Sequence, residues 1–389
     1  MEELPNTRRM LSTRFLPNDF EPSHIQLTRR TKSFKYYWKI LLIIAIFYGT
    51  PAIQYLSYQL EIRTKMGIKQ LEQECYFNYK CNAVVGNLWG FNNIVSNLGY
   101  IILGILFLGI IYRAPERDER IYEDKNIYYA LGCALLLEGV FSAIYHVCPN
   151  ASNFQFDTTF MFIGSGLLLI CLLQKRRQYK VIGVFKGFAF MSLCNILNVV
   201  ELTENDNIIV FWTVVSIIFS SVIVISIIAL YHGKNKIIEG AYNILKIFKL
   251  DLEIKKKKLF IGLFLVFILN ELVVIFSALY KFHFSTFLLA LIFNNIILVL
   301  SDYLYFKYRS GNRIGKRNLL FLLFTIISMV TSIYFFELPY TNKFLTPDES
   351  LALNRPCILF GFFDTHDIWH ILSAFGIFFM FLATWYIDE

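Results

Sequence analysis

The chain has 389 residues, 56% of them hydrophobic, with a mean hydropathy of +0.51 and a formal net charge of +8. Ordinary soluble domains are about a quarter charged, whereas this chain is 17% charged. That balance excludes an ordinary soluble domain and predicts an all-α, polytopic membrane helix bundle.

Residues 1–37 are polar, carry seven Lys/Arg and lack the short apolar core of a signal peptide. They read as a basic arm on the cytoplasmic side. Residues 38–389 read as one transmembrane domain. Ten stretches are long and apolar enough for a crossing, near 38–58, 89–112, 127–147, 155–174, 181–201, 208–231, 259–280, 285–306, 318–336 and 365–386. The weakest are 181–201, which holds Lys186, Asn195 and Asn198, and the short 318–336.

Orientation follows from the bias of Lys/Arg towards cytoplasmic loops. With the N-terminus inside, the inner segments hold 28 Lys/Arg and the outer ones seven. Ten spans then return the C-terminus to the cytoplasm, and the positive charge is a topology signal, not a nucleic-acid signal. The same topology puts Cys75, Cys81, Cys148 and Cys357 outside, where disulfides persist; they allow three pairings. Cys133, Cys171 and Cys194 fall within spans. The sequon Asn150-Ala-Ser152 also falls outside.

Two clusters carry the chemistry. The third span ends with Ser142-x-x-x-His146, and Pro149 stops it. Asp157 follows in the first turn of the fourth span. The last span opens with His366-Asp-Ile-Trp-His370, two imidazoles on one helical face. All five groups therefore lie at one depth near the outer face, and ionisable groups at membrane depth mark function. Three imidazoles suit a catalytic zinc with an open fourth position. His146, His366 and His370 are the expected ligands, with Asp157 as a fourth ligand or as partner of a water that zinc would bring to a pKa of about 7. Ser142 is expected to donate to an oxyanion or to that water. Glu138, a further turn inward, reads equally as a proton relay or a structural acid. His283 reads as a surface residue, and Trp369 with the Tyr near span ends as interfacial anchors. Asn97, Asn270, Glu271, Asn294, Asn295 and Asp302 are expected to face the bundle interior or a water-filled cavity.

The stretches Cys75–Cys81, Phe91–Tyr100, Glu138–Asn150, Asn153–Thr158 and Asp364–Ala374 resemble the transmembrane region of the SID family, named for systemic RNA interference. That region is similar to the superfamily of alkaline ceramidases and adiponectin receptors, whose signature is a Ser, an Asp and three His at a membrane-embedded zinc. The resemblance covers about 38–386. It implies zinc on His146, His366 and His370, Asp157 as ligand or water partner, and Ser142 as the site serine. It also implies uptake or trafficking of double-stranded RNA, handling of sterol or lipid, a homodimer, and residence in the plasma membrane or lysosome. Family members usually carry an extracellular β-sandwich region and a further span ahead of this region, and RNA capture is expected there. Here residues 59–88 set four Lys/Arg against Glu61, Glu72 and Glu74, too little net charge to neutralise a run of phosphates. Two function classes remain: a transporter of RNA or sterol whose bundle zinc braces, and an intramembrane zinc hydrolase of a lipid amide or ester.

Overall fold

A computed structural model describes residues 36–63, 65, 67–115, 125–175, 183–203, 208–232, 254–280, 282–309, 311, 313–338 and 341–387. The basic arm, apart from its last two residues, lies outside them. Each of the ten expected spans falls on a helix. These are α1 (Tyr37–Arg63), the short α3 (Phe91–Ser96) continued by α4 (Leu98–Arg113), α5 (Lys125–Tyr145), α6 (Gln155–Lys175), α7 (Val184–Thr203), α8 (Ile208–His232), α9 (Ile254–Leu279), α10 (Phe284–Arg309), α11 (Lys316–Phe336) and α13 (Thr365–Tyr386). Eight are long and apolar enough to cross a bilayer; α8 and α9 contribute shorter apolar stretches, Ile209–Val224 and Phe264–Leu279. Two further helices, α2 (Ile68–Glu74) and α12 (Pro347–Ala352), lie in connections. The chain is thus a polytopic helical membrane protein, with backbone polar groups satisfied within each helix as hydrocarbon demands.

The helices α5, α6 and α13 form the centre, with about two thirds of each apolar window buried, whereas α1 and α11 present most of theirs outward. Tyr100, Phe107, Leu131, Leu135, Phe160, Leu167, Phe378 and Phe381 fill the main core between α4, α5, α6 and α13. A second core joins α6 and α7 to α8, α9 and α10 through Phe162, Phe211, Trp212, Phe219, Phe284 and Phe287. The outward rows are apolar too, for example Ile46 and Phe47 on α1 and Ile326 and Val330 on α11. Only lipid suits such rows, so the pattern reflects the solvent and not a failed core.

Close approach of α4 to α5 rests on missing side chains. A Cβ added at Gly139 would sit 2.7 Å from Ile101 Cγ1 and 2.8 Å from Asn97 O, and one at Gly104 would sit 2.8 Å from Leu136 N. Small residues let membrane helices pack backbone to backbone where hydrophobic driving force is absent. Bonds across the α5–α6 turn then fix its path. Tyr55 donates to Cys148 O (2.7 Å) and Tyr48 to Gln155 O (2.9 Å). Asn153 Nδ2 donates to Cys148 O (2.9 Å).

All four cysteines placed on one side by topology are bridged at the same end of the bundle, Cys75 to Cys148 and Cys81 to Cys357. Many tyrosines near span ends are exposed, among them Tyr58, Tyr112, Tyr280, Tyr308 and Tyr334, as an interfacial belt requires. Two residues depart from expectation. Trp369 is buried, because it packs between Phe336 and the histidines and not at the lipid boundary. Asp302 is exposed; it lies two turns from the end of α10, near Lys307 and Arg309, where a charge can reach the interface. The asparagines behave as expected. Asn97 is buried, and Asn270 accepts from Asn294 (3.3 Å) and Asn295 (2.6 Å). Glu271 accepts from Ser220 at 2.8 Å.

Gly139→Val should wedge α4 from α5 and lower stability by about 1–3 kcal/mol, read as earlier thermal unfolding in detergent. Gly262→Ala on α9, where an added Cβ meets nothing within 4 Å, should leave the transition in place.

Candidate metal centre

The site is assembled from three helix ends. Beyond Tyr145 the chain keeps one more turn, with His146 N donating to Ser142 O at 3.0 Å. Pro149 then diverts it, and α6 begins two residues before Asp157. From the far end of the sequence, α13 brings His366 and His370 one turn apart on a single face. All five side chains are buried.

The three imidazoles meet through the same atom type. His370 Nε2 lies 3.0 Å from His146 Nε2 and 2.9 Å from His366 Nε2. A ring nitrogen carries either one hydrogen or one lone pair, so His370 Nε2 can form a hydrogen bond to one neighbour at most. Its Nδ1 is buried without a partner. Hydrogen bonding therefore fails to account for the cluster. A cation does account for it: ligands about 2.0–2.1 Å from a tetrahedral zinc sit about 3.3 Å apart, close to the spacing found. The donor set fits a transition-metal ion, and these are the three residues whose ligand atoms, among the described residues, gather within 4.8 Å.

Asp157 stands one step out. Its Oδ1 is 3.8 Å from His146 Nε2 and accepts a short hydrogen bond from Ser142 Oγ. Ser142 has one hydrogen to give, and here Asp157 takes it. The hydroxyl is left with lone pairs, so in this arrangement it is an acceptor towards any third group and not the oxyanion donor expected from sequence. Glu138 is buried on the same helix, with neither carboxylate oxygen hydrogen-bonded.

A cavity of about 230 Å³ is lined by His146, Asp157, His366, Trp369, His283 and Lys343 among others. Lys343 and His283 carry no sequence signal. The Lys343 ammonium lies over the Phe154 ring, 3.1 Å from its centroid, and 5.8 Å from that of Tyr145. Burial pushes it down to about 7, with the Asp157 carboxylate pulling it back up. His283, expected at the surface, is partly exposed; its ring also stacks on Phe344 at 3.7 Å and its Nδ1 is 3.6 Å from the buried Glu201. Long-range packing, invisible to local spacing, puts both residues at the cavity.

What aims α13 is a buried carboxylate pair. Asp364 caps the helix, accepting from His366 N (2.9 Å) and Asp367 N (3.0 Å), while Asp367 accepts from Asp364 N (3.0 Å). Asn92 and Asn93 at the head of α3 each donate to Asp367 at 2.8 Å, and Asn78 donates to Asp364 at 3.1 Å. Burial pushes the Asp364 carboxyl up, and the hydrogen bonds from Asp367 N, Asn78 and His366 N oppose it. Further along, Tyr100 and Ser373 share a bond of 2.5 Å beside the His370 ring.

Asp364→Ala should cost about 2–3 kcal/mol, from the lost cap and the stranded Asn78 amide, and should weaken metal retention at His366. Thermal unfolding and metal content in detergent check this, with exposed Asp348→Ala on α12 as the unaffected control.

The family model described as the dsRNA-gated channel SID-1 matches residues 13–389. The chain is 34% identical over 385 residues to SID1 transmembrane family member 1 of Homo sapiens and of Mus musculus, covering 92% of this chain and 46% of each relative. It is 28% identical over 371 residues to cholesterol uptake protein 1 of Caenorhabditis elegans, covering 90% of this chain and 48% of that protein. The chain thus spans about half the length of these relatives. With its crossings, disulfide-tied end and matching sequence over nearly its whole length, the chain belongs to the SID-1 family of multi-pass membrane proteins.

Proposed function

We propose that this chain serves membrane uptake of double-stranded RNA or a sterol and is organised around a zinc ion held by His146, His366 and His370. The convergence of three Nε2 atoms that cannot all hydrogen-bond carries the metal reading. The names of the relatives, an RNA-gated channel model and a cholesterol uptake protein, support the cargo. The disulfides at the site's end favour an oxidising side, hence the outer face of a plasma membrane or the lumen of a lysosome. Zinc there ties α13 to the α5–α6 turn across more than half of the sequence, and a homodimer is the expected assembly.

A second reading has its own observation: Asp157 lines a cavity beside His146 and His366, with Ser142 hydrogen-bonded to it from behind. When bound, zinc supplies a Lewis acid and a water acidic enough to react near neutrality. Asp157, held by Ser142, would serve as general base towards a water entering the cavity. Ser142, its hydrogen committed, accepts from the water and fixes its direction. Trp369 and the neighbouring aromatic rings exclude bulk solvent. This arrangement fits hydrolysis of a lipid amide or ester entering from the bilayer.

Purified wild-type protein should hold about one zinc per chain, lost in His366→Ala with His370→Ala; metal analysis that finds none in the wild type would sink the reading. Uptake of labelled duplex RNA or sterol should fall in that double variant and survive Ser142→Ala and Asp157→Asn. Under the hydrolytic reading, release of fatty acid by the zinc-loaded protein should instead drop by about a hundredfold in either single variant.

A further inference from the structure

The stretch between Cys357 and Asp364 reverses on itself. Ile358 N and Leu359 N donate to Phe363 O (2.8 and 3.1 Å), while Phe362 N and Phe363 N donate to Leu359 O (3.1 and 3.0 Å). The two residues at the tip, Phe360 and Gly361, have φ of 56° and 64°. A two-residue turn with both central φ values positive is ordinarily built from Asn-Gly or Gly-Gly, because a bulky side chain crowds the backbone there. Gly361 meets that demand. Phe360 does not, and it is the one non-glycine residue with positive φ among the described residues.

Its ring contributes little to packing. Phe360 is 86% exposed, more than any other large apolar side chain among the described residues, including those on lipid-facing helix rows. Disfavoured backbone persists where the surroundings over-determine it, and it concentrates where it serves a purpose. The surroundings here are firm. The disulfide to Cys81 pins one end of the turn, and the Asp364 cap with its bond from Asn78 pins the other. From the same disulfide a second turn departs, closed between Val85 and Leu88. Val84, Val85, Ile358 and Leu359 are all exposed as well, and no residue in 82–90 or 356–363 is charged.

We infer that the Phe360 turn is a membrane anchor, presenting its ring to the headgroup–acyl boundary of the bilayer at the disulfide-bearing end of the bundle. Three observations favour lipid as the occupant. Both turns lie within a few residues of where α3 and α13 begin their crossings, at the depth where a span leaves the membrane. Aromatic side chains are the ones that settle at that boundary. The absence of charge provides nothing to orient a protein partner or to select an anionic lipid, so an uncharged zwitterionic surface is enough. Because the turn is clamped directly to Asp364, its depth would also set the depth of His366 and His370.

The test places an indole at the tip, Phe360→Trp, in the full chain reconstituted in phosphatidylcholine nanodiscs. Emission is compared with the wild type, whose five Trp give the background. The added indole should lose most of its intensity when the lipid carries bromine near the headgroup end of its acyl chains, and should resist aqueous iodide. Strong quenching by iodide would overturn the inference, placing the tip in water. Quenching by neither would overturn it too, placing the tip against protein, either another copy or a partner. Ile358→Trp repeats the measurement one strand away and guards against misfolding of the tip variant.

Discussion

Hydrocarbon offers no hydrogen-bond partner, so a polar group at membrane depth is costly unless it finds one inside the bundle, and the carboxylates of Asp364 and Asp367 meet that demand together. Two acids side by side and buried would repel and strand their own oxygens. Here the oxygens of both are occupied, by backbone N–H groups at the head of α13 and by the amides of Asn78, Asn92 and Asn93. The arrangement works only if α3, the disulfide-tied loop and α13 arrive together. It therefore fixes the rotation of the first turn of α13, and with it the direction in which His366 and His370 point. An apolar contact could hold these helices together, but it would tolerate a sliding register; a network of directed bonds does not.

Much of this was legible in residue order. Crossings are written in runs of apolar residues whose length the bilayer dictates, and even 181–201, with Lys186 and two asparagines inside it, resolves as the helix Val184–Thr203. The histidine site was legible for a related reason. Ser142 and His146, and again His366 and His370, use helical spacing, while Pro149 and Asp364 mark helix ends by rules that need no tertiary knowledge. Once the crossings were placed, the depth of each group came with them. Pairing of the cysteines was not legible, since four thiols at one end admit three patterns and only the packing of the connections chooses between them.

What sequence missed has a common cause. Lys343 and His283 reach the cavity from connections, whose paths carry no periodicity, and each packs on an aromatic ring far from it in sequence. Trp369 looked like an anchor because tryptophan near a span end usually is one. Its place on α13 between His366 and His370 turns it inward, towards the rings it packs on. Ser142 was assigned a donor's role from spacing alone. Whether its single hydrogen is free depends on Asp157, fifteen residues on and on another helix.

The placement of the site also reflects the division between centre and rim. The helices that carry it, α5, α6 and α13, are the ones most enclosed by others, and an enclosed helix can move only if its neighbours repack. Their ends, by contrast, lie where backbone groups run out of intrahelical partners and where side chains can turn towards an opening. A metal site needs both conditions: ligands that do not drift, and a position that something can enter. The helix ends at the disulfide-tied face supply that combination, because three rigid rods terminate there around one cavity. The mid-membrane Asn270–Asn294–Asn295 cluster, between α9 and α10, has partners for its amides but no such opening among the described residues. In that contrast the asparagine cluster joins helices within the bundle, while the histidine cluster stands at an opening.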